Sequence, residues 1–289
     1  MQEIDYNSPH INKLIEGALR EDACHADATS FLVVPHGKIC EGVILVKEEA
    51  VICGLKLIKK IFQKLDKTVR IRTMFRDGQR VKANTKLAFL KGKARALLQA
   101  ERTALNFLGH LSGIATNTER YIQKIRPLKT KIFDTRKTTP SLRLLEKYAV
   151  RCGGGYNHRF DLRDMILIKD NHRCLIEETQ TLSQFLGGLR LRTAQKTEIE
   201  VDNLDQFHEV LKTPPEMILL DNMKTKEIKR AVDLVRRLPA SRRPILEASG
   251  GITLQNVRRV ARTGVDRIAV GALTHTHRMI DVSLELCKR

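Results

Sequence analysis

The sequence predicts an α/β protein in two parts, a small α+β domain followed by an α/β barrel. β-rich runs dominate the section up to about residue 95, and after residue 130 short apolar runs alternate with helical segments. Such alternation is typical of a parallel sheet, and six runs over about 140 residues favour a barrel. The length of 289 residues is sufficient for both parts.

The amino-terminal part begins with a predicted amphipathic helix. Ser8 and Pro9 resemble an N-cap and a first-turn proline, and Ile11, Ile15 and Leu19 follow at helical spacing. Apolar and β-branched residues then predict strands in three runs, which span residues 43–55, 69–75 and 86–91.

A long helix is predicted to join the two parts. Gly92 is expected to end the preceding strand, and residues 96–125 have apolar positions at a helical period. Gly109 and Gly113 are expected to weaken or bend this helix, because glycine has a low helix propensity.

The second part consists of six apolar runs and the helical segments between them. The runs span residues 131–134, 165–170, 197–202, 216–221, 244–249 and 267–272. Residues 280–286 then alternate with a period of two, which predicts a last strand that leaves the barrel and pairs with the sheet of the first part.

Four of the six runs end in aspartate, at Asp134, Asp170, Asp202 and Asp221. Ligands bind at the carboxyl ends of parallel strands, so these polar endings indicate the mouth of a site. An aspartate can also simply cap the next helix, and for Asp202 that role is equally compatible with the sequence.

One predicted strand has an acidic face. Glu198, Glu200 and Asp202 alternate with apolar residues and therefore point to the same side. Acidic groups that face a barrel interior are destabilising unless they pair with cations or a metal, which favours a functional role for Glu200. Glu200 and Asp221, on neighbouring strands, are the best candidates to hold Mg²⁺ together with substrate phosphates.

Four cations follow strands or turns in the stretch 134–172, namely Arg136, Lys137, Arg159 and Lys169. Cations that converge on one mouth repel one another unless a polyanion is bound. Arginine forks match carboxylates and phosphates with paired hydrogen bonds, whereas lysine acts as a point charge. The sequence therefore predicts a ligand with several carboxylates or phosphates.

Two glycine-containing loops follow the last two runs, at Ser249-Gly250-Gly251 and at Gly271-Ala272. Backbone N–H groups in such loops can bind a phosphate, and barrels often place one at this pair of loops. A simple turn would explain either loop taken alone.

The composition of the chain limits the classes of ligand that it is expected to bind. A formal charge of +19, from 52 Lys and Arg against 33 Asp and Glu, favours acidic ligands or nucleic acid. Aromatic residues are only 4%, tryptophan is absent, and no RNA- or DNA-binding motif is found, so nucleic acid is not the predicted partner.

Neither a membrane nor export is predicted. No apolar run approaches the roughly 18 residues of a membrane span, and the N-terminus lacks the features of a signal peptide, so the cytoplasm is expected.

The six cysteines contain no C-x-x-C pair, which argues against a zinc ribbon or a disulfide framework. Cys152 lacks a general base at a diagnostic spacing and is not predicted to be a nucleophile.

Eight sequence motifs occur in order along nearly the whole chain. They are ERTALNFLGHLSGIAT (101–116), DTRKTTPSLR (134–143), GGGYNHR (153–159), LIKDNH (167–172), EIEVDNL (198–204), LLDN (219–222), EASGGI (247–252) and GVDRIAVGALTH (264–275). Together they resemble the quinolinate phosphoribosyltransferase family.

The resemblance implies a fold, an assembly and a reaction. It implies an N-terminal α/β sandwich domain (1–112), joined by a C-terminal strand (276–289), and an incomplete, seven-stranded α/β barrel (113–275). It implies a homodimer with shared active sites, with a higher oligomer left open. The expected reaction transfers the phosphoribosyl group of phosphoribosyl pyrophosphate (PRPP) to quinolinate with decarboxylation, and gives nicotinate mononucleotide, diphosphate and CO₂ in NAD biosynthesis.

The resemblance also implies a role for each site residue. Quinolinate carboxylates would be surrounded by Arg136, His158, Arg159 and Lys169, with the partner subunit's Arg102 completing the set. Lys137 would contact the diphosphate, and Glu200 and Asp221 the ribose and Mg²⁺; these three and Lys169 form the expected catalytic set. The remaining expected substrate-binding residues, mostly in the 5-phosphate loops, are Thr135, Ser249, Gly250, Gly251, Val270, Gly271 and Ala272.

Four positions differ from the usual pattern of the family. Ala26, Asn84 and Ser141 stand where glycine is usual, and Ala269 stands where serine is common. Asn84 can adopt a positive φ and Ser141 is expected in the first turn of a helix, so neither threatens the fold. Ala269 removes a hydroxyl beside the phosphate loop, which predicts modestly weaker phosphate contacts.

The nearest alternative is a homologue of the same fold that is associated with molybdenum-transport operons and acts on another substrate. The full basic set of Arg102, Arg136, Arg159 and Lys169 favours a dicarboxylate instead.

Overall fold

The computed structural model describes residues 4–287, which form two compact units. The first unit comprises the described residues of Met1–Glu119, Thr139–Gly154 and Thr276–Arg289, and the second comprises Arg120–Thr138 and Gly155–His275. A boundary after residue 112 therefore falls inside a continuous helix. Residues 139–154, expected in the barrel, group with the first unit.

The first unit combines five helices with strands that are mostly antiparallel. The helices are α1 (Pro9–Glu21), α2 (Ala28–Val33), α3 (Leu55–Leu65), α4 (Ala94–Ile125, whose last residues belong to the second unit) and α5 (Arg143–Cys152), with a short 3-10 helix at Cys24–Ala26. The strands are β1 (Ile39–Val46), β2 (Ala50–Val51), β3 (Arg70–Thr73), β4 (Arg80–Val81), β5 (Thr85–Lys93) and β12 (Val282–Cys287).

The main sheet of the first unit has the strand order β12-β1-β5-β3. The last strand of the chain pairs antiparallel with β1, from Val46↔Val282 to Glu41↔Cys287. This confirms the prediction that the final period-two segment joins the amino-terminal sheet. A separate ribbon is formed by β2 and β4.

The first helix forms as predicted. The Ser8 side chain accepts a hydrogen bond from the Ile11 amide at 3.5 Å, and Pro9 occupies the first turn. Ile11, Ile15 and Leu19 are buried along one face, which ties the helix to the core of its unit.

Two expectations about local structure in this unit are wrong. Gly92 does not end a strand but lies inside β5, where a Cβ would stand 2.8 Å from Val69 Cγ2, so the glycine allows a close approach. Ser141 has a φ of 65° and precedes α5, so it is not in the first turn of a helix. Asn84, with a φ of 60°, adopts the positive φ that was expected for it.

The long helix α4 is continuous through both of its glycines. A Cβ at Gly109 would lie 2.7 Å from the Ile280 carbonyl oxygen, and one at Gly113 would lie 2.3 Å from the Arg278 carbonyl oxygen. The Ile280 amide also donates to the Gly109 carbonyl at 3.0 Å. These glycines therefore allow close packing of the segment 277–280, a role that the sequence did not predict.

The second unit alternates strands with helices. Its strands are β6 (Lys131–Phe133), β7 (Ile166–Ile168), β8 (Thr197–Val201), β9 (Met217–Asp221), β10 (Ile245–Ser249) and β11 (Arg267–Ala269). Its helices are α6 (Asp170–Glu177), α7 (Leu182–Arg192), α8 (Leu204–Leu211), α9 (Thr225–Arg237), α10 (Val257–Ala261) and α11 (Ala272–His275), with a short 3-10 helix at Ala240–Arg242.

The six strands form one parallel sheet in the order β6-β11-β10-β9-β8-β7. Each of the six predicted runs contains one of these strands, which confirms the predicted α/β class. Within residues 4–287, a seventh position of this sheet is present only as a parallel bridge between Phe133 and Tyr156. The two edge strands, β6 and β7, are not paired with each other, so the sheet is open.

The register of this sheet places three charged side chains on one face of the sheet. Glu200 is level with Leu219, Leu219 with Glu247, and Glu247 with Arg267. Residues in register across parallel strands point to the same side of a sheet, so Glu200, Glu247 and Arg267 share one face, with Leu219 between the two glutamates. Among the described residues, no helix has both the length and the apolar character needed to cross a bilayer.

Candidate active site

A cavity of about 810 Å³ opens at the carboxyl ends of the parallel strands of the second unit. It is lined by thirteen of the fifteen predicted site residues, which are Thr135, Arg136, Lys137, His158, Arg159, Lys169, Glu200, Asp221, Ser249, Gly250, Gly251, Gly271 and Ala272. The strand ends therefore converge as the sequence predicted.

The two remaining predicted residues do not line this cavity. Val270 is buried, and its amide donates to the Phe133 carbonyl at 2.9 Å, so its N–H group is already used. Arg102 is exposed on α4 in the first unit.

The cationic side of the cavity is built on two loops, after β6 and before β7. Arg136 is half-buried, and its buried Nε has no hydrogen-bond partner among residues 4–287. The Arg159 guanidinium donates through Nη1 to the Met165 carbonyl at 3.3 Å. Burial, and then the nearby Arg136, lower the pKa of Arg159 from its ordinary value. Two guanidinium groups are therefore held close together, which is unfavourable until an anion lies between them.

The loop that carries Lys137 is fixed by its main chain. The Lys137 amide donates to the Thr135 hydroxyl at 3.1 Å, and the Lys137 carbonyl accepts from the Thr274 hydroxyl at 2.6 Å. The Lys137 side chain is left exposed toward the cavity. This arrangement suits a point charge that meets a phosphate group.

His158 lies between two fully buried carboxylates. Its Nε2 is 2.9 Å from Glu198 Oε2 and 3.3 Å from Glu247 Oε1. Asp134, also fully buried, holds the loop by accepting from the His158 amide at 2.8 Å and from the Asn157 side chain at 2.7 Å. Glu198 Oε1 and both oxygens of Glu247 have no hydrogen-bond partner among the described residues, so the charge of these carboxylates is offset by the nearby imidazole ring and, for Glu247, also by Arg267.

The protonation of His158 follows from this arrangement. Burial opposes the charged ring, but the bonds to Glu198 and Glu247 outweigh it and raise the pKa of His158 to about 9. The Arg159 amide, which donates to His158 Nδ1 at 2.8 Å, favours the neutral ring instead. We assign the imidazolium, because two buried carboxylates without a cationic partner are more destabilising than one unfavourable contact between the Arg159 amide and a protonated Nδ1. Burial, and then Glu198, raise the pKa of Glu247.

Three carboxylates meet at the ends of β8 and β9, and two of them, Glu200 and Asp221, line the cavity. Oxygens of Glu200, Asp202 and Asp221 all lie within 4.8 Å of one another, and Lys169 Nζ donates to Glu200 Oε2 at 2.6 Å. Asp202 does not cap the next helix, since the N-cap of α8 is Asn203, whose side chain accepts from the Gln206 amide at 2.9 Å. Hard oxygen donors in this arrangement fit Mg²⁺, which needs only one or two carboxylates when phosphates supply the rest.

The glycine loops differ in the space that they leave for a side chain, since nothing lies within 4 Å of a Cβ at Gly251, whose φ is 58°. At Gly250, with a φ of 86°, a Cβ would lie 2.2 Å from Asn222 Oδ1. At Gly271 a Cβ would lie 2.9 Å from His275 Nε2 and 3.3 Å from Lys137 Cδ. Gly250 therefore requires glycine, because its φ is positive and a Cβ would meet the backbone and side chain of Asn222, whereas at Gly271 only side-chain atoms of His275 and Lys137 would have to move.

Sequence reasoning missed Glu247 as a member of the site and did not assign a role to Glu198. A carboxylate inside the apolar run 244–249 was the available signal for Glu247. Its closeness to His158 could not be read from the sequence, because it depends on the register of β8, β9 and β10.

Comparison with known proteins gives a consistent result along the chain. A family model described as the quinolinate phosphoribosyl transferase C-terminal domain matches residues 114–285, and one for the N-terminal domain of the same family matches residues 27–112.

Individual relatives cover nearly the full length. The chain is 41% identical over 276 residues to the nicotinate-nucleotide pyrophosphorylase [carboxylating] of Mycobacterium leprae, covering 94% of this chain and 95% of that one. It is 36% identical over 280 residues to the probable enzyme of the same name in Methanocaldococcus jannaschii, covering 96% and 97%. The crystal structure of NadC from Streptococcus pyogenes superposes with a TM-score of 0.90 at 34% identity and covers 100% of both chains.

Proposed function

The chain belongs to the quinolinate phosphoribosyltransferase family, and from this premise we infer that it is the decarboxylating enzyme of NAD biosynthesis. It transfers the phosphoribosyl group of PRPP to quinolinate and releases nicotinate mononucleotide, diphosphate and CO₂. The observation that carries the inference is one cavity with a cationic side, an acidic side and two glycine loops.

Quinolinate is assigned to the cationic side. Its two carboxylates match the paired guanidinium groups of Arg136 and Arg159 and the charges of Lys169 and His158. The free hydrogen-bonding capacity at Arg136 Nε supports this assignment. Because Arg159 is bonded to the Met165 carbonyl, its guanidinium is held in place before the substrate arrives.

PRPP is assigned to the other side. Lys137 meets the diphosphate, Glu200 and Asp221 lie at the ribose, and the loops at Ser249–Gly251 and Gly271-Ala272 receive the 5-phosphate through main-chain N–H groups. Ala269, buried at the end of β11 and in the cavity lining, offers no hydroxyl to that phosphate.

We assign Mg²⁺ to Glu200 and Asp221, with Asp202 within reach. When bound, the ion would offset the charge of the diphosphate and help to orient it. Lys169, bonded to Glu200, links this group of carboxylates to the quinolinate side of the cavity.

The reaction needs orientation and charge stabilisation from the protein. A bond forms between the pyridine nitrogen and ribose C1 while the bond from C1 to the diphosphate breaks, and the ring then loses CO₂ from its 2-position. Glu200 and Asp221 favour positive charge at the ribose, and Lys137 stabilises the leaving diphosphate. No side-chain nucleophile is required.

We further propose a homodimer in which the partner subunit's Arg102 completes the quinolinate site. Arg102 is an exposed cation on α4. The family premise and this exposure support the assignment. The cytoplasm stays the predicted compartment.

The function is tested by incubating the protein with quinolinate, PRPP and Mg²⁺. We expect equal amounts of nicotinate mononucleotide and CO₂, measured by chromatography and by release of label from the 2-carboxylate. Nicotinate in place of quinolinate is the matched control and is expected to react poorly, since it lacks one carboxylate. Absence of both products from quinolinate would overturn the proposal.

A further inference from the structure

A second cavity lies in the second unit, at the amino-terminal ends of its parallel strands. It measures about 680 Å³ and is bounded by residues that begin or precede strands, among them Met165, Lys196, Met217 and Ile245. The candidate active site is at the opposite ends of the same strands, and the two linings share only His158 and Arg159. Apart from these two shared residues, the proposed reaction gives the lining of this cavity no role.

The lining of this cavity is strongly cationic. It contains seven Lys or Arg side chains and only two carboxylates, Asp164 and Glu216. Both carboxylates accept from backbone amides, Asp164 from Phe160 and Glu216 from Thr197, the latter at 2.9 Å. Both carboxylates therefore serve the local fold, and the seven cations outnumber them.

Most of these cations lack an ion-pair partner. Lys212 pairs with Glu209, whereas the other six have no carboxylate oxygen within 4.0 Å in the part of the chain that is described. Those six are Arg159, Arg190, Lys196, Arg242, Arg243 and Arg267. Their mutual repulsion is unfavourable in the absence of an anion.

Several of the guanidinium groups are fixed without being neutralised. Arg243 donates to the carbonyls of Leu238 and Arg236 at 2.8 and 2.9 Å, and Arg190 donates to the Pro214 carbonyl. Arg267 stacks on the Phe133 ring at 4.6 Å. Bonds to neutral carbonyls hold the groups in position and keep their full charge, which is the preorganisation that an anion site needs.

We propose that this cavity is a second anion-binding site, which takes a chain of two or more linked phosphates. A single phosphate would leave most of the six unpaired cations without a partner, whereas linked phosphates can bridge them across a cavity of about 680 Å³. Such a chain is present in inorganic polyphosphate and in nucleoside triphosphates. The proposal does not rest on the proposed reaction.

The test is isothermal titration calorimetry of the full chain with inorganic tripolyphosphate. The variant Lys196→Ala/Arg242→Ala removes two exposed cations of the lining that make no ion pair. The matched control, Lys226→Ala/Arg230→Ala, removes the same charge from exposed positions on α9 outside the cavity. Arg159 is left unchanged because it lines both cavities.

We expect the cavity variant to bind one tripolyphosphate per chain fewer than the control, or to bind it at least about tenfold more weakly at that site. The difference is independent of any binding at the candidate active site, which both variants retain. Equal stoichiometry and affinity in the two variants would overturn the proposal. Arg190→Ala, monitored by the same titration and by thermal unfolding, is a second variant should the first fail to fold.

Titration with ATP then identifies the source of the phosphates. Tighter binding of ATP than of tripolyphosphate, lost in Lys196→Ala/Arg242→Ala, supports a nucleotide. Equal or weaker binding with the same loss supports inorganic polyphosphate.

Discussion

His158 lines the candidate active site, and its side chain contacts two buried carboxylates of the second unit. Its loop is held by Asp134, and its ring lies against Glu198 and Glu247, which are both fully buried. Because the partners of the ring are buried carboxylates, the charge of the ring is part of the folding free energy of the protein.

The charge of His158 predicts a pH dependence of stability. Its pKa is raised in the folded protein from 6.5 to about 9. The stabilisation is therefore fully present below pH 6.5 and is lost as the pH rises through about 9; it amounts to about 3 kcal/mol. We expect the free energy of unfolding, measured with urea, to fall between these pH values.

The double variant Glu198→Gln/Glu247→Gln is the control for this prediction. It keeps the shape of both side chains but removes the negative charge that raises the pKa of His158. We expect its free energy of unfolding to depend less on pH between 6.5 and 9 than that of the wild type. Identical slopes for the two proteins would contradict the assigned imidazolium.

Ser141 has a strained backbone conformation that is expected to lower the stability of the protein. Its φ of 65° lies in the left-handed region, where a side chain with a Cβ is strained. Ser141→Gly is therefore expected to raise the free energy of unfolding by about 1 kcal/mol, after allowance for the larger entropy of unfolded glycine. Asn84→Gly, at a φ of 60°, is the comparison and is expected to change stability little, because asparagine tolerates this region. A loss of stability in Ser141→Gly would show that its side chain has a stabilising contact that outweighs the strain.

At the scale of elements, α4 and the segment 277–280 depend on each other. The segment lies on the two glycines of the helix, and the Ile280 amide donates to the Gly109 carbonyl. β12 follows directly and pairs with β1. The packing at these glycines therefore positions the chain where the last strand begins.

Gly113→Ala tests this contact. The added Cβ would lie 2.3 Å from the Arg278 carbonyl oxygen, so backbone has to move, and we expect a loss of about 2 kcal/mol of stability. Gly188→Ala in α7 is the matched control, because nothing lies within 4 Å of its Cβ position. There the higher helix propensity of alanine predicts a gain of up to about 1 kcal/mol in urea unfolding. Equal gains in the free energy of unfolding of both variants would mean that the segment 277–280 does not restrict the space at Gly113.

At the scale of the whole molecule, the proposed assembly predicts complementation between two variants of strongly reduced activity. Arg102→Ala removes a charge that the partner subunit needs, and Lys169→Ala removes one from the cavity itself. We expect each to lower kcat/KM for quinolinate by about 100-fold, the scale of a lost charge-assisted hydrogen bond in a dry site.

A mixture of the two variants is expected to recover part of the activity. A hybrid dimer contains one site with both Arg102 and Lys169 intact, so up to a quarter of all sites regain both groups at equal mixing and random exchange. Subunit exchange is followed with differently tagged chains. Exchange without any recovery of product formation would contradict shared sites.

Several features of the fold and site could be predicted from the sequence. The six strand runs and the aspartates at their ends are local patterns, since strand propensity and period depend on neighbours in the chain. Local patterns also indicated the cations, acidic strand ends and glycine loops of the cavity lining, such as Arg136, Arg159, Glu200 and Asp221, and the family resemblance supplied the role expected of each.

The sequence by itself therefore determined the α/β class, the order of the strands along the chain and the chemical character of the site. Only the tertiary structure decided that Glu198 and Glu247 both meet His158, that Gly109 and Gly113 serve packing, and that cations from five separate segments surround a second cavity. Each of these depends on strand register or on close approach between distant segments. Such contacts are set by the packing of the whole unit, and no period or motif within a single segment encodes them.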